Sequence, residues 1–251
     1  LSIDILFILF YKNLYDTLYI LINYIKKEMS EEPFIQEPQP KKENNASKKL
    51  IAEAIGTFGL TFFGCAVAIT NGGSFATSAA FGAVIVLMAY TIGNISGCHI
   101  NPAVSLNMLI RNQMTIADFN IYLIGQFIGA CLGSFTLALC NRLNFANLGA
   151  NGINPNTLYA KDSLGVAYKD FFSYFDACLI EVVLTFFFVF LINGVTDSQF
   201  SVGKDGKLSG FFIGIGLMVG ISAGFYFTGG SLNPFRSLAP AIFQCFSGDL
   251  N

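Results

Sequence analysis

Apolar residues in this chain come in blocks about as long as a bilayer is thick, divided by short polar clusters. The blocks predict five membrane-spanning helices, over about Leu50–Thr70, Ala76–Ile95, Ala117–Cys140, Phe171–Gly194 and Leu208–Phe227. Roughly 20 apolar residues in a helix cross the hydrocarbon core. Two further apolar segments, about Pro102–Arg111 and Pro234–Phe246, predict helices too short to span. A polar, Asn-rich loop covers about Asn141–Asp170.

The chain before the first span divides at Met29. Residues 1–28 are apolar and aromatic but interrupted by Asp4, Lys12 and Asp16. Met29 reads as the natural start and residues 1–28 as non-native, the alternative being a signal peptide or an extra amphipathic helix. Residues 29–49 are rich in Glu, Pro, Gln, Asn and Lys and read as a polar, poorly structured tail.

Composition strengthens the membrane reading. The chain is 53% hydrophobic and only 12% charged, against about 25% charged in soluble domains. No basic stripe with interleaved aromatics is present, so nucleic acid is not an expected partner. The six cysteines form no CxxC pair and His99 is the single histidine, so no metal site or cofactor is expected. Lys41, Lys42, Lys48 and Lys49 precede the first span, Arg111 ends the first short segment, and Lys204 and Lys207 lie between the last two spans. If the spans alternate, these positions share one side, which is expected to be cytoplasmic. The sequon Asn45-Ala46-Ser47 then lies in the cytosol, unused.

The pattern repeats. Ser96-Gly97-Cys98-His99-Ile100-Asn101-Pro102-Ala103-Val104-Ser105-Leu106 and Thr228-Gly229-Gly230-Ser231-Leu232-Asn233-Pro234-Phe235-Arg236-Ser237-Leu238 are near copies, each following a long apolar run. Glu53 and Thr57-Phe58 in the first span match Glu181 and Thr185-Phe186 in the fourth. Repeat one covers 50–140 and repeat two covers 171–251. The counterpart of the third span is expected to begin near residue 249, which predicts a sixth span missing from this chain. Three spans per unit is an odd number, so the units are inverted about an axis in the membrane plane.

Asn-Pro has a physical meaning here. Asparagine is a strong N-cap and proline is favoured at the first helical position. Each pair therefore starts a helix within the membrane, and the irregular backbone before it must line a wet cavity or be buried in protein. The carbonyls of Gly97, Cys98 and His99, and of Gly229, Gly230 and Ser231, form an expected ladder of acceptors. Asn101 and Asn233 add amide donors, and two helix N-termini add positive potential. Such a path suits a small neutral solute and repels cations.

With these motifs the chain from about Lys49 onward resembles the major intrinsic protein family, the aquaporins and aquaglyceroporins, and is closer to the aquaporin pattern. The resemblance implies an all-α membrane protein, an inverted repeat of three spans plus a half-helix, with residues 50–251 as the channel domain. It also implies one pore per subunit and a homotetramer, passing water and excluding ions and protons. Its outer filter falls on Phe81, Ile221, Gly230 and Arg236. Water-selective relatives carry histidine where this chain has Ile221, and Gly230 is expected to leave space opposite Phe81. Glycerol-type relatives carry Asp and Lys where this chain has Ser237 and Ala241. The expected function is a water channel, with glycerol, urea or ammonia as additional solutes and a glycerol-type facilitator as the alternative.

Three points stay open. Phe235, where the family has Ala, either narrows the midpoint of the pore or packs against the first half-helix. Glu53 and Glu181 read as supports of the two loops rather than proton relays. A proton-coupled transporter would need one of Glu53, Glu181 and Arg236 as its coupling group, and a closed, purely structural role would rest on Phe235 alone.

Overall fold

A computed structural model describes residues 45–70, 72–162, 165–197 and 207–247. The expectations for residues 1–44, and for a span starting near residue 249, lie outside the described residues. Among those described, the helices are α1 (Ala46–Ala68), α2 (Gly73–Ser96), α3 (Pro102–Ile110), α4 (Ile116–Cys140), α5 (Phe171–Thr196), α6 (Ser209–Gly224) and α7 (Pro234–Gln244). A single 3-10 turn, Cys245–Ser247, follows α7. Helices α1, α2, α4 and α5 are long and apolar enough to cross a membrane. The 16 residues of α6 give about 24 Å of helix. It stops three residues short of the expected Phe227, and the turn that follows tightens where Phe227 N–H donates three residues back to the Gly224 carbonyl at 3.0 Å.

Local chemistry sets the ends. Thr115 caps α4 by accepting from Asp118 N–H at 3.1 Å. Asp170 and Ser173 form a capping box at the start of α5, with Ser173 N–H donating to Asp170 Oδ1 at 2.7 Å. These bonds hold the Asp170 carboxyl below its ordinary pKa. Helix α1 begins four residues earlier than expected, so Ala46–Lys49 is helix rather than tail. Lys49 N–H donates to the Asn45 carbonyl at 2.9 Å, and Lys49 Nζ pairs with Asp118 at 2.9 Å, tying the starts of α1 and α4 together. The long loop also departs from an all-α expectation, with Ala160–Lys161 pairing antiparallel with Ala167–Tyr168.

Packing follows small residues. Gly125, Gly129 and Gly133 on α4 lie against the Leu50, Ala54 and Phe58 carbonyls of α1; a Cβ at Gly125 would stand 2.6 Å from one oxygen and at Gly133 2.8 Å from another. The four-residue spacing makes one stripe along α4, and small residues are what let membrane helices approach this closely. Helix α2 packs on α1 and α6, α5 on α6, and α7 on α4. The half-helices α3 and α7 touch each other between the spans.

Candidate functional site

The two Asn-Pro helix starts lie head to head. Asn101 Oδ1 accepts from Ala103 N–H at 2.9 Å, and Asn233 Oδ1 accepts from Phe235 N–H and Arg236 N–H at 3.2 Å each. The amides then reach across. Asn101 Nδ2 donates to the Leu232 carbonyl at 2.7 Å, and Asn233 Nδ2 donates to the Ile100 carbonyl at 2.9 Å. Each caps its own half-helix and straps down the loop of the other. Pro102 and Pro234 occupy the first helical positions, with Ala103 and Phe235 behind them.

The loops before the prolines share an unusual backbone. Gly97 and Gly229 have φ of 82° and 87°, Cys98 and Gly230 have 53° and 60°, and Ile100 and Leu232 have 42° and 53°. A β-branched residue such as Ile100 rarely enters the left-handed region, and such strain persists only when the surroundings over-determine it. Two carboxylates supply that. Glu53 accepts from Ser96 Oγ (2.6 Å), His99 N–H (3.0 Å), Ile100 N–H (2.7 Å) and Gln126 Nε2 (2.8 Å). Glu181 accepts from Thr228 Oγ1 (2.5 Å), Ser231 N–H (2.9 Å) and Leu232 N–H (3.0 Å). The partners correspond one for one, apart from Gln126. Glu53 is fully buried, whereas Glu181 is half-buried and borders an open apolar groove.

A second correspondence ties each loop to its half-helix. His99 Nδ1 lies 3.1 Å from Ser105 Oγ, and Ser231 Oγ contacts Ser237 Oγ. Ser105 also receives Gln126 Nε2 at 2.9 Å, while Ser237 Oγ donates to Asn151 Oδ1 at 2.8 Å.

A cavity of about 480 Å³ runs past these groups. Gly97, Cys98, His99, Asn101, Ser231, Asn233 and Arg236 border it, facing Leu60, Ile85, Val104, Ile192 and Leu217. Phe81 and Ile221 line it too, and the Arg236 guanidinium carbon sits 4.7 Å from the Phe81 ring centre. Arg236 is almost wholly buried. Its Nη1 donates to the Gly149 carbonyl at 2.9 Å and to Asn151 Oδ1, while its Nε has no partner among the described residues.

Several residues sit otherwise than expected. Gly229, Gly230 and Phe235 are not among the described residues that border the cavity. A Cβ at Gly230 would lie 2.7 Å from the Ile221 carbonyl oxygen and 2.8 Å from its Cα. The glycine thus permits close approach of loop and helix rather than opening space opposite Phe81. Phe235 packs, but its aromatic partner is Phe127 of α4 where the first half-helix was expected; the rings meet edge-on, centres 5.4 Å apart. Gly149, Asn151 and Gln126 belong to the site but carry no local motif, and only the polarity of Asn151 and Gln126 hints at them; Ser105 lies in the repeated segment, matched by Ser237. Among the described residues no cluster of His, Cys, Asp and Glu suits a metal ion.

Comparison with known proteins gives the same picture. Residues 41–246 match the family described as Major intrinsic protein. The chain is 37% identical over 197 residues to the glycerol uptake facilitator protein-like 6 of Lactiplantibacillus plantarum, covering 78% of this chain and 84% of that one. It is 33% identical over 204 residues to aquaporin Z of Rhodopseudomonas palustris, covering 78% and 81%. It is 35% identical over 202 residues to aquaporin-5 of Rattus norvegicus, covering 78% and 69%. The aquaglyceroporin structure from Plasmodium falciparum shares the fold, with a TM-score of 0.66, 21% identity, and coverage of 80% and 82%. With paired half-helices joined through Asn101 and Asn233, and a family match over most of its length, the chain belongs to the major intrinsic proteins, a family of membrane channels rather than enzymes.

Proposed function

We propose that the cavity is a passive water pore that excludes ions and protons. The observation that carries this is the pair of strapped amides. Each asparagine amide spends one N–H on the opposite loop, and both residues border the cavity. The remaining N–H of each can donate to one solute oxygen, so a water held by both accepts two hydrogen bonds and turns its own hydrogens away. Two half-helix N-termini add positive potential at that point, and the Arg236 guanidinium adds a full charge. A hydronium ion meets repulsion there and finds no carboxylate among the described residues of the lining. Glu53 and Glu181 are occupied by loop donors, which favours the channel over a proton-coupled transporter.

A second reading, conduction of glycerol, urea or ammonia, is favoured by one observation. Ile221 lines the cavity together with Arg236, and the rest of the lining mixes loop residues such as Gly97 and His99 with apolar side chains such as Leu60, Ile85 and Leu217. That lining suits a molecule with hydroxyls on one edge and carbon on the other. The absence of free space at Gly230 weighs toward water. Orientation with the N-terminus in the cytoplasm, and assembly as a homotetramer, are part of the same proposal.

The test is stopped-flow light scattering on proteoliposomes. Water flux well above empty vesicles with a low activation energy is expected, with much smaller shrinkage recovery in glycerol or urea. Flux equal to empty vesicles, or flux driven by a proton gradient, would sink the proposal.

A further inference from the structure

Away from the strapped asparagines, α3 is held to α5 by amides. Asn107 Nδ2 donates to Asn193 Oδ1 at 2.8 Å, and Asn193 Nδ2 donates back to Asn107 Oδ1 at 3.1 Å. Arg111 Nη1 adds a third bond to the same Asn193 oxygen at 2.6 Å. None of these three side chains borders the cavity, but the residues beside them do. Met108 follows Asn107 on α3, and Ile192 precedes Asn193 on α5. With Asn94, Thr196 and Ser209 they line the end of the cavity remote from the filter. Phe81 and Asn94 stand 13 residues apart on α2, roughly 20 Å along its axis.

The internal repeat isolates what is special here. The shift that carries Glu53 onto Glu181 carries Cys65 onto Asn193. The shift that carries Asn101 onto Asn233 carries Asn107 onto Ala239. Cys65 and Ala239 are both fully buried, so the equivalent crossing, between α7 and α1, has small side chains at these positions. The crossing of α3 and α5 has a directional pair instead. A reciprocal amide pair has one geometry in which both bonds form, so it fixes the distance and rotation between α3 and α5 as a small apolar contact would not.

We propose that Asn107 and Asn193, reinforced by Arg111, are positioning residues that hold Met108 against the wall and keep the inner half of the pore open. They act through Met108 and never meet the solute. Methionine is unbranched and flexible; once α3 can rotate, its side chain swings across the lumen. The water readout rests on the function proposed above.

The test compares unit water permeability in proteoliposomes, with protein quantified by monodisperse peak area. Asn193→Leu should lower the rate about threefold or more, an interhelical hydrogen bond in a membrane averaging about that factor. Asn193→Asp should keep more than half the rate, because its carboxylate still accepts from Asn107 and Arg111. Adding Arg111→Met to Asn193→Asp should remove that rescue. Adding Met108→Ala to Asn193→Leu should restore the rate, which general destabilisation would not do. If Asn193→Leu is not recovered as folded protein, Arg111→Met alone carries the test: a smaller loss supports the clamp and an unchanged rate overturns it. Wild type no faster than empty vesicles refutes the water reading and the clamp with it. A conducting wild type with an equally fast Asn193→Leu, or Asn193→Asp as slow as Asn193→Leu, refutes the clamp alone.

Discussion

Asn151 holds Arg236 by its side-chain oxygen, across 85 residues of chain. The same oxygen accepts from Ser237, and Asn151 Nδ2 donates to the Thr228 carbonyl at 3.1 Å. One loop residue therefore fixes the guanidinium, the first turn of α7 and the loop that follows α6 together.

Asn151→Leu should loosen the filter without unfolding the protein. Arg236 keeps the Gly149 carbonyl, so the charge stays in place but gains freedom over Phe81. The glycerol-to-water permeability ratio should rise several-fold, measured on one proteoliposome preparation. An unchanged ratio would show that the Gly149 bond alone orients the guanidinium.

The two carboxylates should differ in what they stabilise. Glu53→Ala strands four buried donors, at roughly 1–3 kcal/mol each when no water can replace the partner. Glu181→Ala strands three, at a half-buried site beside an open groove. Thermal unfolding in detergent should show the larger loss for Glu53→Ala. Glutamine at either position should recover part of it, since its oxygen still accepts. Equal losses from both alanine variants would contradict the difference in burial.

Phe235→Ala should leave water permeability within about twofold of wild type while lowering stability. The ring packs on Phe127, and such an aromatic pair contributes about 0.5–1.5 kcal/mol beyond its buried area. A double-mutant cycle with Phe127→Ala should return coupling of that size. A marked rise in permeability would mean that the ring obstructs the lumen.

Two glycine substitutions should have opposite signs. Gly129→Ala drives a methyl into the Ala54 carbonyl, and α4 must shift on α1, at about 1–3 kcal/mol. Gly194, near the end of α5, has nothing within 4 Å of an added Cβ. Gly194→Ala should stabilise by about 0.5–1 kcal/mol through helix propensity. Melting temperatures of the two variants, purified in parallel, decide the matter.

What the sequence made legible was whatever is local or duplicated. Asn101-Pro102 and Asn233-Pro234 state their structure in two residues, since capping and a missing N–H act within one turn. Glu53 and Glu181 became readable as a pair because each precedes a Thr-Phe four residues on, in the span that opens its repeat. Asn151 was not readable, because its partners are decided by where a long loop lies on α6 and α7. Gly230 was misread for a related reason. A glycine announces a missing side chain, but only the approach of Ile221 tells whether the gap is empty or filled by backbone. Asn107 and Asn193 look like ordinary polar residues near helix ends until α3 and α5 are brought together. The start of α1 at Ala46 escaped hydropathy because a polar first turn, fixed by Lys49 to Asp118, carries no apolar signal.

The crossed straps between Asn101 and Leu232, and between Asn233 and Ile100, also bear on the order in which the protein is made. During synthesis the loop around Asn101 emerges long before Leu232 exists, so its amide waits without its final acceptor. The first unit can insert its spans and even pair Glu53 with its loop, yet its pore lining is finished only when the second loop arrives from the opposite face. Assembly of the conduction path is therefore a late, single event shared by both units, and damage to either loop is felt by the one that was built correctly.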